Sequence, residues 1–229
     1  MPLVYQQNIN ATTKIGVWHI AEAEDFFLQQ VPLQRTITHW HKRLQHLAGR
    51  LLLKELYPEF PLEEILIADT KKPFVENKAW HFSISHSGDY AAAMVSKEWR
   101  VGVDVEWNNP KIGEISHKFL ETGEWEVVSG EWAKWDKQLA IGNMQSTTFN
   151  IQHSTFNINL LTLCWSVKEA VYKWWGIGGV DFKKDIIIKK ISGDADQGIV
   201  NCLFKNEIEL NVHFLHFNDN YLTWVMTIH

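Results

Sequence analysis

The sequence predicts an α+β fold: two similar α/β halves forming a pseudo-dimer in one chain, each with a long helix packed on a small, mainly antiparallel sheet. Three observations predict it. Apolar residues recur at three- and four-residue steps through 35–56 and again through 161–175, the period of a helix with one buried face. Each stretch is followed by several short segments of strand character. The 229 residues are 45% hydrophobic, enough to bury a sizeable core.

The elements follow in order. Residues 14–20 (KIGVWHI) predict a short strand. In 35–56, Trp40, Leu44, Leu47 and Leu51 mark one helix face, and Pro58 and Pro61 stop the helix. Residues 65–68 predict a strand, and the turn-prone 69–73 follow. Three strands come next: 80–85 (WHFSIS), 90–96 (YAAAMVS) after a turn at Gly88, and 101–107 (VGVDVEW). A mainly helical segment spans 115–139, and the second strong helix, 161–175, ends at Gly176, Gly178 and Gly179. Strands at 186–191, 199–204, 208–217 and 221–228 complete the chain. The halves divide at 107/108. Between them and the second helix, STTFNI at 146–151 is echoed by STFNI at 154–158 in a polar, almost uncharged stretch. That composition predicts a loop insertion within 130–160.

Composition removes several function classes. The net charge of −5 and pI of about 6.1 argue against gripping nucleic acid through a broad basic face. Cys164 and Cys202 sit in apolar surroundings with no C-x-x-C, as free thiols in a reducing compartment do. The first residues carry no charged start followed by an apolar core, and no stretch approaches the roughly 18 apolar residues of a membrane span. The expected location is the cytoplasm, with no membrane partner. There is no G-x-x-x-x-G-K-[ST] loop, no G-x-G-x-x-G and no G-x-S-x-G elbow.

Three groups of residues could carry chemistry. In Gly102-Val103-Asp104-Val105-Glu106, alternate side chains of a strand share a face, so Asp104 and Glu106 point one way and the valines the other. Adjacent carboxylates repel unless a cation lies between them, and hard oxygen ligands at this spacing suit Mg²⁺. The same pair also describes the solvated face of an edge strand. In Trp165-Ser166-Val167-Lys168-Glu169-Ala170-Val171-Tyr172-Lys173, Trp165, Glu169 and Lys173 line one helix face. Glu169 could complete a three-carboxylate site and Lys173 meet a phosphate, although an i, i+4 Glu–Lys pair is also an ordinary surface interaction. Third, Ser85 and His86 lie where a strand meets a turn, able to offer hydroxyl and imidazole to an anion or simply to cap the turn. Upstream, Lys72-Pro73 places a cation in a stiffened loop.

Taken together, these residues resemble the 4′-phosphopantetheinyl transferase superfamily, in its long, surfactin-synthetase-activating form. The family's G-[IV]-D-x-E and W-S-x-K-E-x-x-x-K match 102–106 and 165–173 position for position, and the likeness extends over about 43–185. The resemblance implies Mg²⁺ ligands at Asp104, Glu106 and Glu169, and a pyrophosphate contact from Lys173. It implies contacts to the 3′-phosphate of coenzyme A from Ser85 and His86, and a nucleotide-side lining at Lys72 and Pro73. Glu124 resembles the acid proposed as general base in some members; Arg43 and Arg50 are further phosphate candidates or plain helix-surface arginines. The implied reaction moves the 4′-phosphopantetheine of coenzyme A to a serine of an apo carrier protein, dependent on Mg²⁺, and releases 3′,5′-ADP. The expected partners are coenzyme A and the carrier, and the expected state is a monomer. Two other readings stay open: a Mg²⁺-dependent phosphohydrolase or nuclease, and an inactive homologue that only binds coenzyme A or a carrier. The sequence departs from the family in one place: Asp104 and Glu169 are unusually far apart, with the excess in 130–159.

Overall fold

The structure is a computed structural model that describes residues 2–33, 36–76, 79–132 and 155–228. It is a mixed α and β fold with antiparallel sheets and few helices, in two compact units. The first comprises the chain up to Val105 with Lys173–Gly178 and the end from Met226; the second comprises Glu106–Tyr172 and Gly179–Val225.

In the first unit, β1 (Leu3–Asn10), β2 (Thr13–His19), β5 (His81–Ser87) and β6 (Tyr90–Ser96) form one sheet in the order β1-β2-β6-β5. Its registers pair Val17 with Ala92 and Ser85 with Ala92, so β6 lies between β2 and β5, buried along most of its length. The short helix α1 (Glu24–Leu28) precedes α2 (Trp40–Leu56), whose Leu44, Leu47, Leu51 and Leu52 join Trp18, Phe27, Phe82 and Val95 in the core. A Cβ added at Gly49 on α2 would lie 2.7 Å from Ile84, so the missing side chain lets helix and sheet approach. The two-residue strands β3 (Leu66–Ile67) and β4 (Pro73–Phe74) form a small ladder, and β7 (Trp99–Trp107) follows β6.

The second unit holds α3 (Ile112–Ile115), α4 (Thr122–Trp132) and most of α5 (Thr155–Trp175), with β8 (Ile186–Gly193), β9 (Gln197–Phe204), β10 (Ile208–Phe217) and β11 (Asn220–Ile228). In this unit β11, β10, β9 and β8 are neighbours in that order in one sheet. Asn218 and Asp219, both at positive φ, make the tight turn between β10 and β11. On α5, Ser166 shares a hydroxyl–hydroxyl hydrogen bond of 2.9 Å with Thr223, and the Thr223 hydroxyl is also 2.9 Å from the Ser166 carbonyl, tying helix to β11. Among the described residues no helix is long and apolar enough to cross a membrane.

Two differences from the sequence reading have physical reasons. The first long helix starts at Trp40, capped by His39, and 36–39 are not helical. The apolar period alone does not reveal that capping step. Strand β1 lies outside the sequence reading: LVYQQNIN buries no residue fully and half of it is polar, and it becomes a strand because β2 offers it a ladder. Of the predicted insertion, 133–154 lie outside the described residues; 130–132 end α4 and 155–160 open α5. The first copy of the near-repeat falls in that outside stretch, and Thr155–Ile158 of the second are helical.

Candidate active site

Strand alternation sends the β7 valines inward: Val101, Val103 and Val105 are at most 2% exposed. Asp104, on the opposite face, is also buried, at 2%. A buried carboxylate needs partners, and it has them. Ser85 Oγ donates to Asp104 Oδ1 at 2.7 Å, and the Lys173 ammonium sits on the same oxygen at 2.5 Å. Lys173 Nζ also donates to Ser85 Oγ at 2.8 Å, closing a triangle of three side chains. The three come from β5, β7 and the last turn of α5, all within the first unit. On β5, Phe82 packs in the core, while the serines serve β7: Ser83 Oγ accepts from the Val103 N–H at 3.0 Å, two residues before Ser85 meets Asp104.

His86 follows directly. Although the residue is exposed overall, enough protein surrounds its ring for desolvation to hold the imidazole below its ordinary value. The Lys173 ammonium adds to the shift and Asp104 opposes it. The ring is therefore neutral near pH 7 and can donate one N–H.

Lys72 ends the loop into β4 and Pro73 begins that strand, and both line a cavity of about 690 Å³. Arg100, Phe74, Trp80 and Trp175 form other parts of its wall. The Lys72 ammonium is lowered to about 8, first by burial and then by the charge of Arg100. Arg100 itself lies 5.4 Å over Trp174 and 5.8 Å over Trp175, within cation–π range. Nothing in the sequence singled out Arg100, because its neighbours come from the far end of the chain.

Along α5, Trp165, Glu169 and Lys173 form a half-buried stripe, as their four-residue spacing requires, while Cys164, Val167, Lys168 and Val171 are buried. Trp165 packs edge-on to Phe119 at 5.2 Å. Glu106 and Glu169 are half-buried, and Glu169 stands one turn before Lys173. Glu124 is 5% exposed and ion-paired with Lys168, which is fully buried; its two oxygens lie 2.8 and 2.9 Å from Lys168 Nζ. Glu124 also accepts from the Ile188 N–H at 2.7 Å, while Lys168 donates to the Phe182 and Ile186 carbonyls. Burial pushes the Glu124 carboxyl above its ordinary value, with Lys168 and the backbone N–H groups pulling the other way. Lys168 carries no role in the sequence reading, yet its spacing from Cys164 and Val171 put it on the apolar face, a usable signal of a buried ion pair. The two arginine candidates are otherwise engaged: Arg43 grips Glu24 through two nitrogens, and Arg50 is buried beside His46.

Among the described residues no group of three or more His, Cys, Asp and Glu side chains is gathered to hold a metal. In chemistry, Asp104, Glu106 and Glu169 remain hard oxygen donors of the kind Mg²⁺ takes. In the arrangement described, the cation on Asp104 is Lys173.

A family model, the 4′-phosphopantetheinyl transferase superfamily, matches residues 100–226, more than half of the chain. The chain belongs to this superfamily. The matched region holds Asp104, Glu106, Glu124, Glu169 and Lys173, and begins at Arg100. Similar proteins include the 4′-phosphopantetheinyl transferase AcpT of Escherichia coli K12, 39% identical over 71 residues that make up 31% of this chain and 35% of that protein. The AcpT of Salmonella typhi is 31% identical over 99 residues, 43% of this chain and 47% of its own length. The chain thus spans between about a third and a half of the length of these relatives.

Proposed function

We propose that this superfamily member transfers the 4′-phosphopantetheine of coenzyme A to a serine hydroxyl of an apo carrier protein and releases 3′,5′-ADP. The observation that carries the reading is the Lys173–Asp104–Ser85 triangle, which joins both family motifs and the strand-end serine at one place. A buried carboxylate holding a partly open ammonium is a pre-positioned cation, ready to meet the oxygens of a pyrophosphate.

In the proposed reaction the carrier's serine oxygen forms a bond to the β-phosphorus of coenzyme A. The bond from that phosphorus to the oxygen of the 3′,5′-ADP group breaks, and the hydroxyl proton leaves to a base. Lys173 neutralises charge on the phosphoryl oxygens. Ser85 and the neutral N–H of His86 face the 3′-phosphate, and the Lys72-Pro73 loop borders the nucleotide. Asp104, Glu106 and Glu169 are assigned to Mg²⁺, which when bound supplies Lewis-acid stabilisation of the pyrophosphate. Glu124 serves as proton acceptor only if its ion pair with Lys168 opens, so full transfer by Glu124→Gln would remove it from the reaction. The sequence is also read as two similar halves, residues 1–107 and 108–229. The first half holds the nucleotide contacts and first metal ligands, and the second contributes Glu169 and Lys173. The protein is further proposed to act as a cytoplasmic monomer of the long family form.

The test is direct. The protein is mixed with coenzyme A, Mg²⁺ and an apo carrier protein, and the carrier is weighed by mass spectrometry, with and without EDTA. A gain of one phosphopantetheinyl group that EDTA abolishes supports transfer. Coenzyme A or carrier binding with no mass gain supports a non-catalytic member, and release of phosphate from coenzyme A without a carrier supports a phosphohydrolase.

A further inference from the structure

The last turn of a helix leaves carbonyls without partners inside the helix, and these bear the negative end of its dipole. At the end of α5 one loop takes the Lys173 carbonyl of the last turn and the Gly176 carbonyl just beyond the helix. Lys72 Nζ donates to the Lys173 carbonyl at 2.5 Å, and Thr70 Oγ1 donates to the Gly176 carbonyl at 3.3 Å. Gly176 has φ +71, the left-handed conformation that closes helices, and it leaves room that no other residue leaves. A Cβ built there would lie 2.4 Å from Lys72 Nζ and 2.6 Å from its Cδ. The Lys72 side chain therefore runs over Gly176 to reach the helix end.

Lys173 is held at both ends. Its carbonyl takes the Lys72 ammonium, and its own ammonium takes Asp104 and Ser85. A lysine side chain is long and has many rotamers, so where its head sits depends on where its backbone is fixed. The Lys72 ammonium is thus committed to a backbone carbonyl, 2.5 Å from the Lys173 oxygen.

We propose that Lys72 is a positioning residue, which caps the end of α5 and so fixes where Lys173 presents its ammonium to Asp104, Ser85 and the phosphates of the substrate. The last clause rests on the transferase reading; the cap itself does not. Pro73 and the backbone of the loop are then left to border the nucleotide.

Two measurements test this, and the first needs no substrate. In Lys72→Met, amide hydrogen exchange across 173–178 of the ligand-free protein should quicken by on the order of tenfold, while α2 keeps its protection as a check on folding. Gly176→Ala, which displaces Lys72 without removing it, should do the same. Unchanged exchange at 173–178 in both variants overturns the cap. The second is a transfer cycle with Lys72→Met, Lys173→Met and the double variant. Acting through Lys173, Lys72→Met should lower kcat by roughly tenfold with KM for coenzyme A moved less than about twofold, and the double should be no slower than Lys173→Met alone. Losses that multiply, or a loss confined to KM, overturn positioning and give Lys72 a direct contact. If even the native protein fails to transfer, the functional reading falls, and the exchange result still decides the cap.

Discussion

Lys173 and Asp104 form an ion pair in which the carboxylate side chain is 3% exposed and the ammonium side chain 25% exposed. The pair is enclosed on the acid's side and open on the lysine's. That asymmetry lets a buried group fix a charge that a soluble substrate can still reach.

Removing the lysine should therefore cost more stability than removing the acid, because it strands a carboxylate that water barely reaches. Asp104→Ala leaves an ammonium and the Ser85 hydroxyl without their shared acceptor, at a cost of about 1–3 kcal/mol once the partial exposure of Lys173 is allowed for. Lys173→Met should cost more than this in thermal melts and also reduce carrier modification by at least about a hundredfold. Equal activity of Lys173→Met and the native protein would remove Lys173 from the reaction.

The Glu124–Lys168 pair should behave as a buried structural pair. Glu124→Ala or Lys168→Met alone should cost about 3–5 kcal/mol, because each strands the other charge out of water. For a protein of this size that lowers Tm by roughly 2–4 °C per kcal/mol. Glu124→Leu combined with Lys168→Met should recover part of the loss. Additive losses in the double variant would mean that the pair is not the unit.

Ser83 and Ser85, two residues apart on β5, should separate stability from chemistry. Ser83→Ala leaves the Val103 N–H without its acceptor and should cost about 1–3 kcal/mol, with transfer intact once the protein is folded. Ser85→Ala should slow transfer even where folding is complete, since it loosens the shared contact of Lys173 and Asp104. Comparable kcat/KM for the two folded variants would count against a role for Ser85.

The pH dependence of stability should report Lys72. Its folded value of about 8 lies below the ordinary 10.5, so the folded protein releases this proton first as pH rises. Between those two values the unfolded chain binds more protons, and stability from this group increases with pH. The stability of the native protein relative to Lys72→Met should thus grow from pH 7.5 to 9.5 in urea melts. A constant difference would show that Lys72 titrates as it does in the unfolded chain.

Much of the fold was legible because it rests on local periodicity. The strand at Tyr90–Ser96 and the strand at Ile208–Phe217 match their sequence boundaries, and α5 carries Trp165, Glu169 and Lys173 on one stripe. Strand β1 was not legible, since a half-polar edge strand takes its structure from its neighbour rather than from its own side chains. Lys168 was marked as buried by its place on the apolar face of a recognised motif, but its acid, Glu124, lies 44 residues away and was not legible.

By itself the sequence determined the mixed α and β class, the main elements and the two motifs that place the chain in its superfamily. Tertiary structure alone decided what those residues touch. It gave Asp104 to Lys173 and Ser85, Glu124 to Lys168, and Lys72 to the carbonyl of Lys173. The physical reason is range: periodicity is set by neighbours a few residues away, whereas Asp104 and Lys173 are 69 residues apart and Lys72 and Lys173 are 101. Charges that far apart in sequence find their partners only when strand, loop and helix end are folded against one another.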